Sequence, residues 1–133
     1  MMTGSCLCGS VRYEIAGALT EVRNCHCSMC RKAHSAAFRS RATVQSRDFR
    51  WTAGEALVTW YDSSPGTHRG FCSRCGSAMV SRFDDAPAVC GLPLGCLDDD
   101  PGVRPTMHIF VDSKAPWHQI TDSLPQYPEG PPR

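Results

Sequence analysis

Cys6-Leu7-Cys8-Gly9 and Cys72-Ser73-Arg74-Cys75-Gly76 are the stretches that decide the fold of this chain. Each is a pair of cysteines followed directly by glycine, which reaches positive φ without Cβ strain and lets a chain turn sharply behind a bound metal. Four thiolates close a tetrahedral zinc site. We therefore expect one structural zinc that ties the amino-terminal strand to a later hairpin, with these ligands: Cys6, Cys8, Cys72 and Cys75.

A third cluster, Cys25-His26-Cys27-Ser28-Met29-Cys30, has three cysteines and no following glycine. Three thiolates on zinc leave one position for water or substrate. A zinc ion with an open position lowers the pKa of a bound thiol and polarises a carbonyl. The next residues, Arg31 and Lys32, could offset the thiolate charge and steer an anionic thiol towards the metal. The cluster thus predicts a second, open zinc site that suits the chemistry of thiols and aldehydes.

A second structural zinc is the alternative interpretation of this cluster. Its fourth ligand would come from His26, His34, Cys90 or Cys96. His26 lies between two ligands, so we expect its side chain to point away from the metal and to form a local hydrogen bond. Cys90 and Cys96 are isolated, which is typical of small buried hydrophobic residues. No general base is evident, and His26 and His34 are candidates only because they are near in sequence.

Disulfide bonds fit this chain poorly, because nine cysteines is an odd number and C-x-C neighbours rarely bridge each other. The amino end has no apolar stretch typical of a signal peptide, and no run is long enough to span a bilayer. We therefore expect a cytoplasmic protein, in a compartment that keeps thiols reduced. The net charge of +1 gives no case for a nucleic-acid or membrane partner.

Short runs of alternating or β-branched residues predict a mostly β domain with few short helices. The length of 133 residues suits one zinc-binding domain, over residues 1–124, followed by a proline-rich tail, 125–133, that is extended or frayed. A helical turn or two is expected within 28–37, and a turn within 62–66. The predicted strands cover 11–15, 49–51, 57–61, 78–83 and 107–111.

The order of these motifs resembles the glutathione-dependent formaldehyde-activating enzyme family, which also includes centromere protein V. The matching segments are Gly4–Tyr13, Cys25–Lys32, Arg69–Ser77, Gly95–Asp99, His108–Val111 and Lys114–Trp117. The resemblance extends over nearly the whole chain, and its cysteine pattern is specific. Ser35 stands where the family often has glycine.

This resemblance implies a small zinc-stapled antiparallel β fold shared with the Rab-GTPase accessory chaperone (Mss-type). It implies two zinc ions per chain, one structural and one catalytic, on the two cysteine sets described above: Cys6, Cys8, Cys72 and Cys75 for the structural ion, and Cys25, Cys27 and Cys30 for the catalytic ion. It also implies carbon–sulfur lyase activity on an adduct of a glutathione-like thiol and an aldehyde, of which S-(hydroxymethyl)glutathione is the archetype.

The alternative function is a non-catalytic zinc module that binds a protein or nucleic acid. Its basis is a set of arginines near Phe38, Phe49 and Trp51, namely Arg39, Arg41, Arg47 and Arg50. A plain charged β-face is the simpler interpretation of these arginines.

Overall fold

The computed structural model describes residues 1–132 and shows a mostly β protein with one short α-helix, as predicted. Within this range, no helix is long and apolar enough to cross a membrane. The helix α1 spans Ser28–His34. The strands are β1 (Met2–Ser5), β2 (Arg12–Ile15), β3 (Thr20–Cys25), β4 (Arg39–Gln45), β5 (Phe49–Ala53), β6 (Val58–Ser64), β7 (Thr67–Cys72), β8 (Ala78–Phe83), β9 (Val89–Pro93) and β10 (His108–Ile109).

The strands form two sheets that share one core. The smaller sheet has the order β1-β2-β5, and the larger has the order β10-β3-β4-β9-β8-β7-β6. All pairings are antiparallel except that of β10 with β3. Tyr13 and Ile15 from the small sheet pack in the same buried cluster as Val44, Met79 and Leu92 from the large one. This apolar burial is the main packing force between the sheets.

Four of the five predicted strands differ from the structure in length, and the differences at β2 and β5 are only one or two residues. Strand β6 continues through Ser64, so the turn is confined to Pro65 and Gly66, where Gly66 has a φ of 78°. Of the segment 107–111, only His108 and Ile109 form a strand. Phe110 then takes a left-handed conformation with a φ of 57°, which ends the strand.

The proline-rich tail is extended and is held along β10. His108 N–H donates to the Pro125 carbonyl at 2.8 Å, Tyr127 N–H donates to the His108 carbonyl at 2.9 Å, and Phe110 N–H donates to the Glu129 carbonyl at 2.7 Å. Of the two states expected for the tail, extended or frayed, the structure shows the extended one up to Glu129. Because β10 pairs with β3 at Cys25, the tail supports a predicted metal ligand.

Helix α1 begins and ends with local devices that position Cys30. The Cys27 side chain caps its first turn, accepting the Cys30 N–H at 3.2 Å. Ser35 ends it in the left-handed region with φ 49° and ψ 45°. That conformation favours glycine.

Candidate metal centres and the adjoining cavity

Four cysteines from the two glycine-terminated pairs form one cluster, as predicted. The Sγ atoms of Cys6, Cys8, Cys72 and Cys75 all lie within 4.8 Å of one another. Cys8 Sγ is 3.6 Å from Cys6 Sγ and 4.0 Å from Cys72 Sγ. Sulfur atoms around a tetrahedral zinc, with Zn–S bonds of about 2.3 Å, are separated by roughly 3.8 Å. The cluster therefore fits a zinc ion.

The glycine that follows each pair has the conformation expected from the sequence. Gly9 has a φ of 77° and Gly76 a φ of 80°. Each closes a tight turn, since Gly9 N–H donates to the Cys6 carbonyl at 3.0 Å and Gly76 N–H to the Cys72 carbonyl at 2.8 Å. A residue with a side chain would be strained at either position.

Ser77 links the two halves of this cluster. Its hydroxyl accepts the Leu7 N–H at 2.9 Å and lies 3.3 Å from Cys75 Sγ. Because the oxygen accepts from Leu7, the hydroxyl proton is free to donate to the sulfur. Hydrogen bonding to Ser77 lowers the pKa of Cys75 to about 5, which favours the thiolate that a metal needs.

The second cluster consists of three cysteines. Cys25 ends β3 and Cys30 lies in α1, and their Sγ atoms lie within 4.8 Å of each other and of Cys27 Sγ. Among residues 1–132, no fourth cysteine, histidine or carboxylate completes this group. Cys90 is in the main core, and Cys96 Sγ instead donates to the Ala78 carbonyl at 3.4 Å. The candidate fourth ligands considered above are therefore not brought to this cluster.

Arg69 adds a positive charge beside the three sulfurs. Its Nη2 atom donates to Cys30 Sγ at 3.5 Å. Hydrogen bonds from Cys25 and Cys27, aided by Arg69, hold the pKa of Cys30 far below its usual value. The pKa of Cys25 is raised by its hydrogen bonds with Cys27 and Cys30 and by burial. Negative charge is thus favoured on the sulfur that faces the guanidinium.

His26 forms a local hydrogen bond, as expected. Its Nε2 lies 2.8 Å from His108 Nδ1, and His108 Nε2 lies 3.0 Å from an Asp122 carboxylate oxygen. Because the carboxylate accepts from His108 Nε2–H, His108 Nδ1 is left to accept from His26. Burial, followed by the nearby His108, lowers the pKa of His26 to about 4. This chain joins the loop of the three cysteines to the segment before the tail.

A cavity of about 190 Å³ is connected to the three-cysteine cluster through Arg69, which lines the cavity and contacts Cys30. It is lined by residues that include His34, Arg39, Tyr61, Arg69 and Ser81. Burial, with the nearby charge of Arg39, lowers the pKa of His34 to about 4, so this imidazole is neutral at pH 7. The cavity is therefore lined by a neutral histidine and two guanidinium groups, of which that of Arg69 contacts the Cys30 sulfur.

The two residues predicted to steer a substrate lie in different surroundings. Arg31 Nε donates to the Ser113 carbonyl at 3.0 Å, which ties this side chain to the loop after β10. Lys32 is exposed and lines a shallow groove together with Tyr61 and Arg69. Sequence reasoning did not select Arg69, or Arg39, for a role at the open site. The sequence feature that could have indicated such a role is the pair of arginines at alternating positions of the segment Arg39–Gln45.

The arginines behind the nucleic-acid alternative do not share one surface. Arg39 is only 5% exposed, Arg41 is half-buried, and Arg50 is exposed and paired with Glu14. Arg47 is exposed in the turn before β5.

Comparison with known proteins places these features in a family. The model of the family described as glutathione-dependent formaldehyde-activating enzyme matches residues 1–113, and the chain belongs to this family. A Halomonas elongata protein named "Putative glutathione-dependent formaldehyde-activating enzyme" is 28% identical over 128 residues, covering 90% of this chain and 81% of that protein. A crystal structure of a Rhodobacter sphaeroides protein matches with a TM-score of 0.63 and 28% identity, covering 78% of this chain and 92% of that one.

Proposed function

We propose that this protein is a zinc-dependent carbon–sulfur lyase that cleaves and forms adducts of a small thiol with an aldehyde, of the S-(hydroxymethyl)glutathione type. The observation that carries the proposal is a cluster of three cysteines, because three thiolates leave one of the four positions of a zinc ion open. Arg69 connects this cluster to a cavity. Membership in the family supports glutathione as the thiol and formaldehyde as the aldehyde.

The proposed cofactor is two zinc ions per chain. Cys6, Cys8, Cys72 and Cys75 would hold the structural ion, and the three-cysteine cluster the catalytic one. Sets made only of thiolates suit zinc rather than magnesium or calcium. When bound at Cys25, Cys27 and Cys30, zinc supplies a Lewis acid that favours ionisation of a thiol and polarisation of a carbonyl.

The reaction replaces the π bond of the carbonyl with a sulfur–carbon bond and transfers one proton. In the synthase direction, a sulfur–carbon bond forms and the thiol proton ends on the former carbonyl oxygen; the lyase direction is the reverse. The Arg69 guanidinium, in contact with Cys30, offsets negative charge on the sulfurs. His34 lines the cavity and is neutral, whereas His26 is held by His108, so His34 is the histidine able to relay this proton. Lys32, with Arg31 behind it, would attract an anionic thiol.

We also propose that the fold is that of the Rab-GTPase accessory chaperone and that the protein works in the cytoplasm. The antiparallel sheets joined by the four-cysteine cluster support the first proposal. The second rests on the cysteines, since metal binding requires seven of the nine as reduced thiols and the cytosol maintains that state.

The test is exchange between glutathione and formaldehyde, followed by NMR in the presence of the zinc-loaded protein. Wild type should accelerate formation and breakdown of the adduct, and Cys25→Ser should abolish that acceleration. Cys96→Ser is the matched control, because it makes the same chemical change outside both clusters and should keep the wild-type rate. An equal rate for wild type and Cys25→Ser, across several small thiols, would refute the proposal.

A further inference from the structure

Two arginines beside the open cluster have buried N–H groups with no partner. Among the described residues, Arg39 Nε and Arg69 Nη1 are buried donors without a hydrogen-bond acceptor. Arg39 Nη2 donates to Ser81 Oγ at 3.1 Å and to the Gly91 carbonyl at 3.3 Å, both uncharged. Arg69 donates to Ser63 Oγ at 3.0 Å and to Cys30 Sγ. Neither arginine forms an ion pair with a carboxylate within residues 1–132.

Such an arrangement is costly unless a ligand completes it. A buried charge without a paired partner destabilises a fold, and an unsatisfied buried donor adds a desolvation penalty. Burial lowers the pKa of Arg39 to about 10, so this side chain still carries its charge at pH 7. Arg69 faces the Cys30 sulfur, but both guanidinium groups line one cavity without a carboxylate partner, and this arrangement calls for an anion.

The backbone is adapted to bring the guanidinium groups together. A Cβ atom added at Gly91 would lie 3.3 Å from Arg41 Nη2 and 3.4 Å from Arg39 Nη2. The glycine thus leaves room for two like charges side by side, on the sheet face opposite to the core residues Ala42, Val44 and Leu92. Arg41 Nε is a further buried donor without a partner. Positive charge therefore continues from Arg69, beside Cys30, to Arg39 and Arg41 on β4.

We propose that Arg39 and Arg69 form a carboxylate-binding pocket and that the substrate adduct carries a carboxylate close to its sulfur. Guanidinium groups recognise carboxylates through paired, charge-assisted hydrogen bonds. The inference rests on the proposed function and deepens it, because bond formation at the sulfur does not itself require an acid group close to that sulfur.

The position of the pocket limits how far the carboxylate is from the reacting sulfur. Arg69 lines the cavity and also touches Cys30, so a carboxylate held there lies a few bonds from a sulfur placed at the cluster. The cavity of about 190 Å³ suits a short acid arm. Arg69 and Tyr61 also line the neighbouring groove of about 350 Å³, where a larger thiol body would lie. The acid could belong to the thiol, as in 3-mercaptopropionate, or to the aldehyde, as in glyoxylate.

The first experiment measures binding without turnover. Propionate and its neutral analogue propionamide are titrated by NMR into the zinc-loaded protein. Propionate should bind and propionamide should not, and Arg69→Gln should weaken propionate binding by about tenfold or more. Arg39→Lys keeps the positive charge but loses the paired N–H donors of the guanidinium, and it should also weaken propionate binding. Arg47→Gln removes an exposed arginine outside the pocket and should change nothing. The proposed pocket would be refuted if wild type does not bind propionate, or if Arg69→Gln and Arg39→Lys bind it as tightly as wild type does.

The second experiment distinguishes the source of the acid. Adduct formation is compared for formaldehyde with 2-mercaptoethanol, formaldehyde with 3-mercaptopropionate, and glyoxylate with 2-mercaptoethanol. A gain with 3-mercaptopropionate that depends on Arg69 assigns the carboxylate to the thiol, and a gain with glyoxylate assigns it to the aldehyde. Equal acceleration of all three pairs would overturn the inference while leaving the proposed function intact. Arginine-dependent propionate binding without acceleration of any pair would instead refute the proposed function and keep the pocket.

Discussion

Arg69 Nη2 donates a hydrogen bond to Cys30 Sγ over 3.5 Å, and this contact joins strand β7 to helix α1. The same strand ends at Cys72, a member of the four-cysteine cluster. One strand therefore carries a member of the four-cysteine cluster and the guanidinium that faces the three-cysteine cluster. A metal ion bound by the four cysteines would hold in register the strand that places a charge beside the three.

Replacing Ser77 with alanine should weaken the closed centre. The change removes the hydroxyl that contacts Cys75 Sγ and accepts the Leu7 N–H. Partners of metal ligands typically contribute tenfold to a hundredfold in affinity, so we expect a loss of about that size. Competition with a chelator measures it. Ser73→Ala, in the same turn, is the control and should retain zinc as wild type does.

Replacing Ser35 with glycine should stabilise the protein. Ser35 ends α1 with a φ of 49°, a conformation in which a side chain is strained. We expect a gain of about 0.5–1 kcal/mol in the free energy of unfolding, after allowing for the flexibility of glycine in the unfolded chain. Denaturant unfolding of the zinc-loaded protein measures it. Ala36→Gly adds the same flexibility without relieving strain and should destabilise; a loss of stability in Ser35→Gly would contradict the account.

The cysteine partition could be predicted because it depends on local patterns. The glycines after Cys8 and Cys75 mark tight turns, and the observed φ values agree. Strand β8 was also predicted with its observed bounds, since Ala78–Phe83 lies between turn residues. A helical turn or two was expected within 28–37, and α1 spans Ser28–His34.

Strand β4 and the arginine pocket could not be predicted for the same physical reason. Ala42 and Val44 are the only apolar core residues of β4, and Arg39 and Arg41 occupy its opposite face, so the strand is too polar for its pattern to indicate burial. Arg69 is on a different strand, and only the sheet order brings it to Arg39. The parallel pairing of β10 with β3 likewise depends on long-range packing.

Removal of residues 125–133 should loosen the three-cysteine cluster more than the four-cysteine one. The tail binds β10, which pairs with β3 at Cys25, and Tyr127 packs against the cluster of Cys25 and Cys30. We expect faster release of one zinc to a chelator while the other is retained. Removal of residues 131–133 alone is the control, because it leaves in place the cited hydrogen bonds of the tail, the last of which is at Glu129. Equal release of both ions by the longer truncation would show that the tail has no local role.

His68 should stabilise the protein more at low pH than at high pH. Its ring nitrogens lie 2.6 Å from Asp62 Oδ1 and 2.8 Å from Asp84 Oδ1, and these hydrogen bonds raise its pKa above the usual value near 6.5. A raised folded-state pKa gives stability that is complete below the unfolded pKa and is lost as pH rises through the folded pKa. The stability difference between wild type and His68→Gln should therefore shrink as the pH rises above about 6.5, the ordinary pKa of histidine.

An NMR titration of the His68 ring gives the independent check. Its midpoint should lie above that of an unperturbed histidine, and Asp84→Asn should lower it because one of the two carboxylates is lost. A midpoint in wild type at or below the usual value would contradict the predicted pH dependence.

The most direct test of the central claim is the zinc content per chain of protein purified without chelator, compared between wild type and Cys30→Ser. The account predicts close to two zinc ions in wild type and close to one in the variant, which keeps its fold because the four-cysteine centre is intact. A wild-type content of one that Cys30→Ser leaves unchanged would contradict the claim that the three cysteines form a metal centre.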